Sequence, residues 1–315
     1  MLTLSTNIHD ARLDGSLAKL PGDLERIRKM GLGGVEIGIH GLDAIRCGRL
    51  DDRRMREFRA IAKDYPLRLS FHAPDSLDLM SDVEPELHRA VLHSCLEFCA
   101  GVCSGVLVVH PGRWVNEADF GVRKRWRPDA AEAEDRMEAE AELLREAAES
   151  FPSVCIALEN ARPYLPYSPY TYAEFPDQLL EQVCRVARRN VRICLDTGHL
   201  HMSSRLHKYD ELEAVRRLLN RVVHLHVHDN FGRTGNWTEK NQTHLVPFGR
   251  GDLHMPPGMG DIDFGAMLGE LLAEYSGIVV CELRGRYLPE LEDHIAAFKA
   301  LLVDLLHETP TAFVV

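Results

Sequence analysis

Residues 191–229 read VRICLDTGHLHMSSRLHKYDELEAVRRLLNRVVHLHVHD and contain a strand pattern, a helix pattern and a second strand pattern. The runs VRICLDT and RVVHLHVHD are short and rich in Val, Ile and Leu, as expected for parallel strands buried on both faces. Between them, YDELEAVRRLLNR places its apolar residues three and four positions apart, which is the spacing of an amphipathic helix. This unit predicts parallel strands joined by a crossover helix.

The same alternation runs through the whole chain. Helical patterns separate the apolar runs, and one of them, the strongly acidic segment 129–149, is predicted to be a solvated outer face. Eight strands alternating with helices predict a (β/α)8 TIM barrel, formed by residues 1–315 as a single domain. A doubly wound open sheet is the alternative, but no GxGxxG sequence follows the first strand. The six remaining strand patterns lie at residues 2–8, 34–40, 67–73, 105–111, 153–160 and 277–283.

The overall composition is that of a globular protein with an acidic surface. Of its 315 residues, 45% are hydrophobic, and 37 basic against 48 acidic residues give a formal net charge of −11. That charge argues against a general binder of nucleic acids or anionic membranes, whose surface would be basic. No segment approaches 18 consecutive apolar residues, and MLTLSTNIHD lacks the basic region of a signal peptide. We therefore expect a cytoplasmic protein without a membrane partner.

Imidazoles and carboxylates collect at the ends of six predicted strands and in the loops that follow. Those ends form one face of a parallel barrel. Because side chains at i and i+2 share one side of a strand, Glu159, Asp196 and Glu282 lie with small or β-branched residues that suit a barrel interior. Buried carboxylates are costly unless they are paired, so the set predicts a divalent metal such as Zn²⁺, Mn²⁺ or Fe²⁺. Its nine members are His72, His110, Glu159, Asp196, His199, His226, Asp252, His254 and Glu282.

Other histidines, including His228, could line the same pocket, but no pattern ranks them as ligands. Two long connections, 111–128 and 229–262, are predicted to be functional loops. The first contains RKRWR, which places an aromatic ring among four cations, a combination suited to phosphate contact and stacking. A solvated loop is the alternative interpretation. Basic loops on an acidic protein predict a small anionic or phosphorylated substrate, with binding residues Arg113, Trp126 and Arg284.

The motifs HAPDSLDL, VVHPG, ALEN, LDTGH, HLHVHDN, DLHMPPGMGDIDF and CEL, in this order, resemble those of the xylose isomerase-like TIM barrels. That superfamily includes endonuclease IV, of AP endonuclease family 2, and many sugar isomerases and epimerases. Resemblance to the isomerases implies a single metal, in a site where the catalytic glutamates Glu159 and Glu282 also move a proton beside a carbonyl. The four ligands implied are Glu159, Asp196, His226 and Glu282.

Resemblance to endonuclease IV implies up to three zinc ions instead. The first would be held by His72, His110 and Glu159, and the second by the four ligands just named. The third would be held by His199, Asp252 and His254. The last two residues precede a GxG turn in DLHMPPGMG, a pairing that favours the three-metal site.

The nine-residue set and the basic loops favour a metal-dependent phosphoester hydrolase, because clustered zinc ions activate a bridging water. Its substrate would be DNA or a smaller phosphorylated molecule. The alternatives are a sugar isomerase or epimerase with one divalent metal, and a barrel that binds metal and ligand without chemistry. After His72, endonuclease IV carries a bulky apolar wedge, whereas this chain has Ala-Pro-Asp75-Ser76, which would repel phosphates. That departure argues against DNA as the substrate. The sequence does not indicate an oligomeric state.

Overall fold

Eight parallel strands close into a barrel in the computed structural model of this chain, which describes residues 2–116, 119–120, 127–165, 167–235 and 242–308. Each strand pairs with its neighbours along the chain, and the first pairs with the last to close the ring. The predicted (β/α)8 TIM barrel is therefore confirmed. Strands β1 to β8 are Thr3–Ile8, Gly34–Gly38, Arg68–His72, Val106–Val109, Cys155–Glu159, Val191–Asp196, Val222–Val227 and Ile278–Cys281.

Helices surround the barrel, and the acidic segment predicted at 129–149 is one of them, Ala130–Ser150. None of the helices in the described part of the chain combines the length and apolar composition needed to cross a lipid bilayer. Helices α1 to α10 are Asp10–Leu13, Leu20–Lys29, Asp52–Ala62, Pro85–Gly101, Ala130–Ser150, Pro176–Val186, Thr197–His207, Glu211–Leu218, Phe264–Leu272 and Leu291–Glu308. Short 3₁₀ segments lie at Ile39–Leu42, Tyr172–Glu174, Leu219–Arg221, Gln242–Phe248 and Gly285–Glu290.

A small hairpin, Ile45–Arg46 paired with Arg49–Leu50, interrupts the connection between β2 and α3. The sequence did not predict it, because strands of two residues are too short to show a periodicity.

The barrel interior below the strand ends is filled by small and β-branched side chains. They form their own buried cluster, which is separate from the main core between the barrel and the helices. On β5, Ile156 and Leu158 belong to the outer core, and Ala157 belongs to the interior. The alternation predicted for β5 is thereby confirmed, and it directs Glu159 into the mouth of the barrel. The interior cluster consists of Val106, Val108, Ala157, Cys194, Ile278 and Val280.

Helix α5 also fixes the loop that follows β4, through the buried carboxylate of Glu140. This carboxylate accepts hydrogen bonds from the backbone N–H of Gly112 at 2.6 Å, from the Tyr172 hydroxyl at 2.7 Å and from the Gln182 amide at 2.7 Å. Burial raises the pKa of Glu140 to about 7, although the three donors oppose this rise. Glu140 therefore holds the backbone two residues beyond His110.

We expect the pKa of Glu140 to make folding stability depend on pH. Because the folded pKa of about 7 exceeds the ordinary 4.5, the stabilising contribution is complete below about pH 4.5 and is lost as pH rises through 7. Between about pH 5 and pH 8 the loss is about 2–3 kcal/mol. Glu140→Gln removes the titration, so urea unfolding at both pH values should show a smaller decrease for the variant. Equal decreases would mean that Glu140 stays ionised in the folded protein.

Candidate metal centre

Four side chains meet at the carboxyl ends of β5 to β8. Glu159 ends β5, Asp196 ends β6, His226 lies on β7 and Glu282 directly follows β8. Each offers a ligand atom within 4.8 Å of the others. Nδ1 of His226 lies 2.9 Å from Oε1 of Glu159 and 3.2 Å from Oε2 of Glu282. We call these four residues the primary cluster.

Two further imidazoles extend this arrangement from β3 and the end of β4. Nε2 of His110 lies 2.9 Å from Oε2 of Glu159, and Nε2 of His72 lies 3.3 Å from the same oxygen. Glu159 therefore faces His226 with one oxygen and the two other imidazoles with the second. Together, His72, His110 and Glu159 form a second group whose ligand atoms lie close enough to share an ion.

Local structure positions both ends of the LDTGH motif. The Asp196 side chain caps α7 by accepting the backbone N–H of His199 at 2.6 Å. Nδ1 of His199 lies 2.9 Å from the carbonyl oxygen of Asn160. The other ring nitrogen of His199, Nε2, therefore faces Asp252. One capping interaction therefore places a ligand of the primary cluster and also fixes the position of His199 in the first turn of the helix.

A further cluster, the loop cluster, consists of the buried residues His199, His228 and Asp252 and the partly buried His254. Nε2 of His254 lies 2.8 Å from Oδ2 of Asp252, and Nε2 of His199 lies 3.5 Å from that oxygen. The rings of His228 and His254 stack with centroids 4.0 Å apart. His254 adopts a left-handed backbone conformation with φ of 43°, which is uncommon for a residue other than glycine.

His228 is the member of the loop cluster that the sequence did not rank as a ligand. The position of His228 in the alternation of its strand would have been enough to place it in the site. Residues 224, 226 and 228 alternate along one strand and its extension, so their side chains share one side. Once His226 is assigned to a site inside the barrel, the same assignment follows for His228.

The electrostatics of the centre are those of carboxylates balanced by imidazoles. Burial alone would raise the pKa of Glu159, but His226, His110 and His72 hold it well below its usual range. Burial opposes protonation of His72, but Glu159 raises its pKa to about 10, and Asp196 and Asp252 do the same for His199. These shifts favour protons on His72 and His199, which offset part of the charge of the buried carboxylates, whereas burial lowers the pKa of His110 and His254. A divalent cation would supply the same positive charge and displace those protons.

The hydrogen bonds of the loop cluster also fit a cation. Among the described residues, Nε2 of His199, Nδ1 of His228 and Oδ1 of Asp252 are buried without a hydrogen-bond partner. Buried polar atoms are rarely left unpaired, and three in one cluster point to a missing ligand. Imidazole mixed with carboxylate suits Zn²⁺, Mn²⁺ or Fe²⁺.

Both clusters border a polar cavity of about 160 Å³ at the carboxyl ends of the strands. Asp196, His226 and His228 are fully buried beneath it, whereas Glu282 keeps 19% of its side chain exposed. Of the two glutamates predicted to be catalytic, Glu282 is therefore the more accessible. The lining contains His9, His40, His72, Asp75, His110, Glu159, Arg162, His199, Asp252, His254, Glu282 and Arg284.

The three predicted substrate-binding residues have different surroundings. Arg284 lines the cavity, where it donates to the backbone carbonyl of Asp252 at 2.8 Å. Arg113 is buried and donates to the carbonyl of Asp75 at 2.5 Å, in the loop that follows β3. Trp126 lies outside the described residues.

Comparisons with known proteins agree on the fold. The family model for the xylose isomerase-like TIM barrel matches residues 24–302. A D-tagatose 3-epimerase-like protein is 20% identical with a TM-score of 0.65, and 97% of each chain is covered. An L-ribulose 3-epimerase is 14% identical with a TM-score of 0.68, covering 98% of this chain and 97% of the other. The 3-keto-D-glucoside 4-epimerase from E. coli is 17% identical with a TM-score of 0.67, and the alignment covers 95% of this chain and 100% of the other. No curated protein sequence matches significantly.

The prediction of a phosphoester hydrolase is wrong. These three similar structures are of two sugar epimerases and an epimerase-like protein, which favours the isomerase or epimerase alternative. The error has a physical reason: imidazoles and carboxylates predict a cation, but they do not distinguish a metal that activates water from one that polarises a carbonyl. Zinc and an AP endonuclease-type activity are not confirmed either.

The structure also gives the GxG turn a different role. The backbone N–H groups of Gly258 and Gly260 donate to the Asp229 carboxylate at 2.9 and 2.8 Å. Gly258 has φ of 90°, a conformation that favours glycine. The turn therefore anchors the loop after β7, and its presence is not evidence for hydrolysis.

Proposed function

Since this chain belongs to the xylose isomerase-like TIM barrel family, we propose that it is a divalent-metal-dependent isomerase or epimerase of a carbohydrate that carries a carbonyl group. The observation that carries the proposal is the primary cluster, in which Glu159 and Glu282 offer ligand atoms within 4.8 Å of each other and both border the cavity. The names of the similar structures refer to ketoses and a keto-glucoside, which supports a substrate of this class.

In this proposal the divalent cation is held by Glu159, Asp196, His226 and Glu282. When bound, such a cation acts as a Lewis acid toward a carbonyl or hydroxyl oxygen of the substrate. The loop cluster would hold a second cation by its own donor atoms. Zn²⁺, Mn²⁺ and Fe²⁺ all suit these donors.

The two glutamates supply the proton transfer. Burial alone would raise the pKa of Glu282, but His254 and His226 hold it well below its usual range, so the side chain is an ionised carboxylate, the form that a base requires. Glu282 takes the proton from the carbon beside the carbonyl, and the electron pair of that C–H bond moves toward the carbonyl oxygen. The electron pair then returns from the oxygen to that carbon, and Glu159 passes a proton taken up from solvent water to its other face, which inverts the configuration. Glu282 releases its own proton to water and the starting state is restored. The two carboxylates exchange roles in the reverse reaction.

Proton exchange at carbon tests this proposal without knowledge of the natural substrate. Purified protein loaded separately with Mn²⁺, Zn²⁺ or Fe²⁺ is incubated in D₂O with ketopentoses, ketohexoses and a 3-keto-glucoside. We expect ¹H NMR to show loss of the signal of a C–H group beside the carbonyl, together with the epimeric product. Absence of exchange for every sugar with a fully loaded protein would overturn the proposal.

We further propose that the substrate carries an anionic group that Arg284 binds. The Arg284 side chain is 32% exposed at the cavity, and its Nε is buried without a hydrogen-bond partner among the described residues. Its guanidinium is 4.0 Å from Oδ2 of Asp252, too far for a hydrogen bond. The exposed part of the guanidinium would donate charge-assisted hydrogen bonds to a phosphate or carboxylate in the cavity.

Arg284→Ala is expected to raise KM for an acidic sugar about tenfold or more, because a charge-assisted hydrogen bond contributes about 1.5–3 kcal/mol. For a neutral sugar with the same carbon skeleton, KM should change little. Steady-state kinetics with a sugar and its phosphate ester measure both. An equal rise in KM for the two substrates would show that Arg284 does not recognise the charge of the substrate.

A further inference from the structure

A buried carboxylate lies beneath the primary cluster, on the opposite side of the barrel interior from β7. Glu36 is on β2, and only 2% of it is exposed. Its Oε2 accepts a hydrogen bond from the Ser70 hydroxyl at 2.9 Å and lies 2.7 Å from Nε2 of His224. Its Oε1 lies 2.7 Å from Nε2 of His226. The carboxylate thus connects β2 to a ligand of the primary cluster on β7, a strand that is not its neighbour in the sheet.

The two nitrogens of His226 have different surroundings as a result. Nδ1 faces Glu159 and Glu282, and Nε2 faces Glu36. Although Nε2 is close to Glu36, the two groups are not aligned as a regular hydrogen bond, and this nitrogen has no other hydrogen-bond partner among the described residues. Without a metal, Nδ1 makes the regular hydrogen bond of this ring, to Oε1 of Glu159 at 2.9 Å. A cation bound between Glu159 and Glu282 would displace a proton from Nδ1, and the ring proton would then stay on Nε2, which faces the Glu36 carboxylate at 2.7 Å.

We propose that Glu36 is a positioning residue, which keeps the proton of His226 on Nε2 and thereby presents Nδ1 as the metal-binding atom. A ligand histidine can offer only an unprotonated nitrogen, and the partner of its other nitrogen decides which one that is. The inference rests on the metal assignment of the proposed function, but it does not depend on which substrate is used. Glu36 itself holds no metal in this proposal.

The surroundings of Glu36 suit this role better than a purely structural one. A buried carboxylate that served only packing would be replaceable by an apolar side chain, as buried ionic groups often are. Here both oxygens are directed at polar groups, and two of the three groups are imidazoles of β7. Because β2 and β7 meet only across the barrel interior, Glu36 fixes the ring of His226 from below while Glu159 contacts it from the side.

The test uses metal affinity and the protonation of His226, and neither readout requires turnover. Glu36→Gln keeps the shape of the side chain, but its amide can accept from only one imidazole. We expect the dissociation constant for Zn²⁺, measured by chelator competition, to rise 10–100-fold. In the Zn²⁺-loaded wild type, ¹⁵N NMR of histidine should show Nε2 protonated and Nδ1 bound to metal.

Ser70→Ala is the matched control, because it removes a hydrogen bond to Glu36 without touching His226, and its Zn²⁺ affinity should stay within about threefold of wild type. Glu36→Asp, which retains the carboxylate, should recover part of the loss and serves if the Gln variant does not fold. A Gln variant with lowered melting temperature and wild-type affinity would overturn the proposal, as would binding of His226 through Nε2. Both outcomes are distinct from a protein that binds Zn²⁺ as expected but epimerises no sugar, which would overturn only the proposed function.

Discussion

Glu282→Gln is expected to lower the rate of proton exchange at the substrate carbon by about 10³-fold, within the range of general acid–base catalysis. The amide keeps the volume of the side chain and one oxygen, but it cannot accept a proton from carbon. Glu282 is the more exposed of the two glutamates and follows β8 at the edge of the cavity. Removing its basicity should therefore act on the chemical step more than on the fold.

Deuterium incorporation measured by NMR gives this rate directly, with kcat and KM determined separately at saturating metal. Glu290→Gln provides the matched control: it makes the same chemical change on an exposed residue of the segment Gly285–Glu290, and it should leave the rate unchanged. Bound metal must be counted in each variant, because Glu282 is also assigned as a ligand. A Glu282→Gln protein with full metal content and a rate within tenfold of wild type would exclude Glu282 as the base.

The arrangement of the barrel could be predicted because its pattern is local. Each strand is a short apolar run, and the period of two along β5 already separates Ile156 and Leu158 from Ala157 and Glu159. The grouping of residues at strand ends could be predicted equally well, since parallel strands bring their carboxyl ends to one face. Glu159, Asp196, His226 and Glu282 could therefore be placed together from the sequence alone.

Residues that act across the barrel could not be found in this way. Glu36 lies within GVEIGIH, and its two imidazole partners are on β7, so no spacing along the chain connects them. His228 was within reach of the alternation rule, but its role depends on Asp252, which arrives from a long loop. Loop paths follow from contacts such as those of Asp229 with Gly258, which a strand or helix period does not encode.

The reaction class was mispredicted for a different reason. A sequence shows how many cations its loops carry but not where they point, and Arg113 proves to be buried and hydrogen-bonded to the backbone of Asp75. Residue types determine that a metal can bind, whereas the shape of the cavity and the groups around it select the reaction.

Gly198→Ala is expected to disrupt the loop cluster and destabilise the protein, because the side chain of His228 occupies the space where a Cβ would be. A Cβ at position 198 would lie 2.0 Å from Cε1 of His228. That ring cannot easily retreat, since Nε2 is hydrogen-bonded to Asp196 at 3.0 Å and the ring stacks on His254. The backbone of Gly198 is not left-handed, so the cost comes from this contact.

Overpacking of this kind typically costs about 1–3 kcal/mol, so urea unfolding of Gly198→Ala should show a decrease of at least that size. Gly269→Ala in α9 is the control: outside its own turn of helix, no atom of the described residues lies within 4 Å of the position that its methyl group would take. A helical Gly→Ala change is expected to add up to about 1 kcal/mol of stability. Combining Gly198→Ala with His228→Ala separates the contact with the His228 ring from other effects of the new methyl group on stability. If the ring of His228 is the obstacle, Gly198→Ala should cost little in a His228→Ala background, whereas equal costs in both backgrounds would place the obstacle elsewhere.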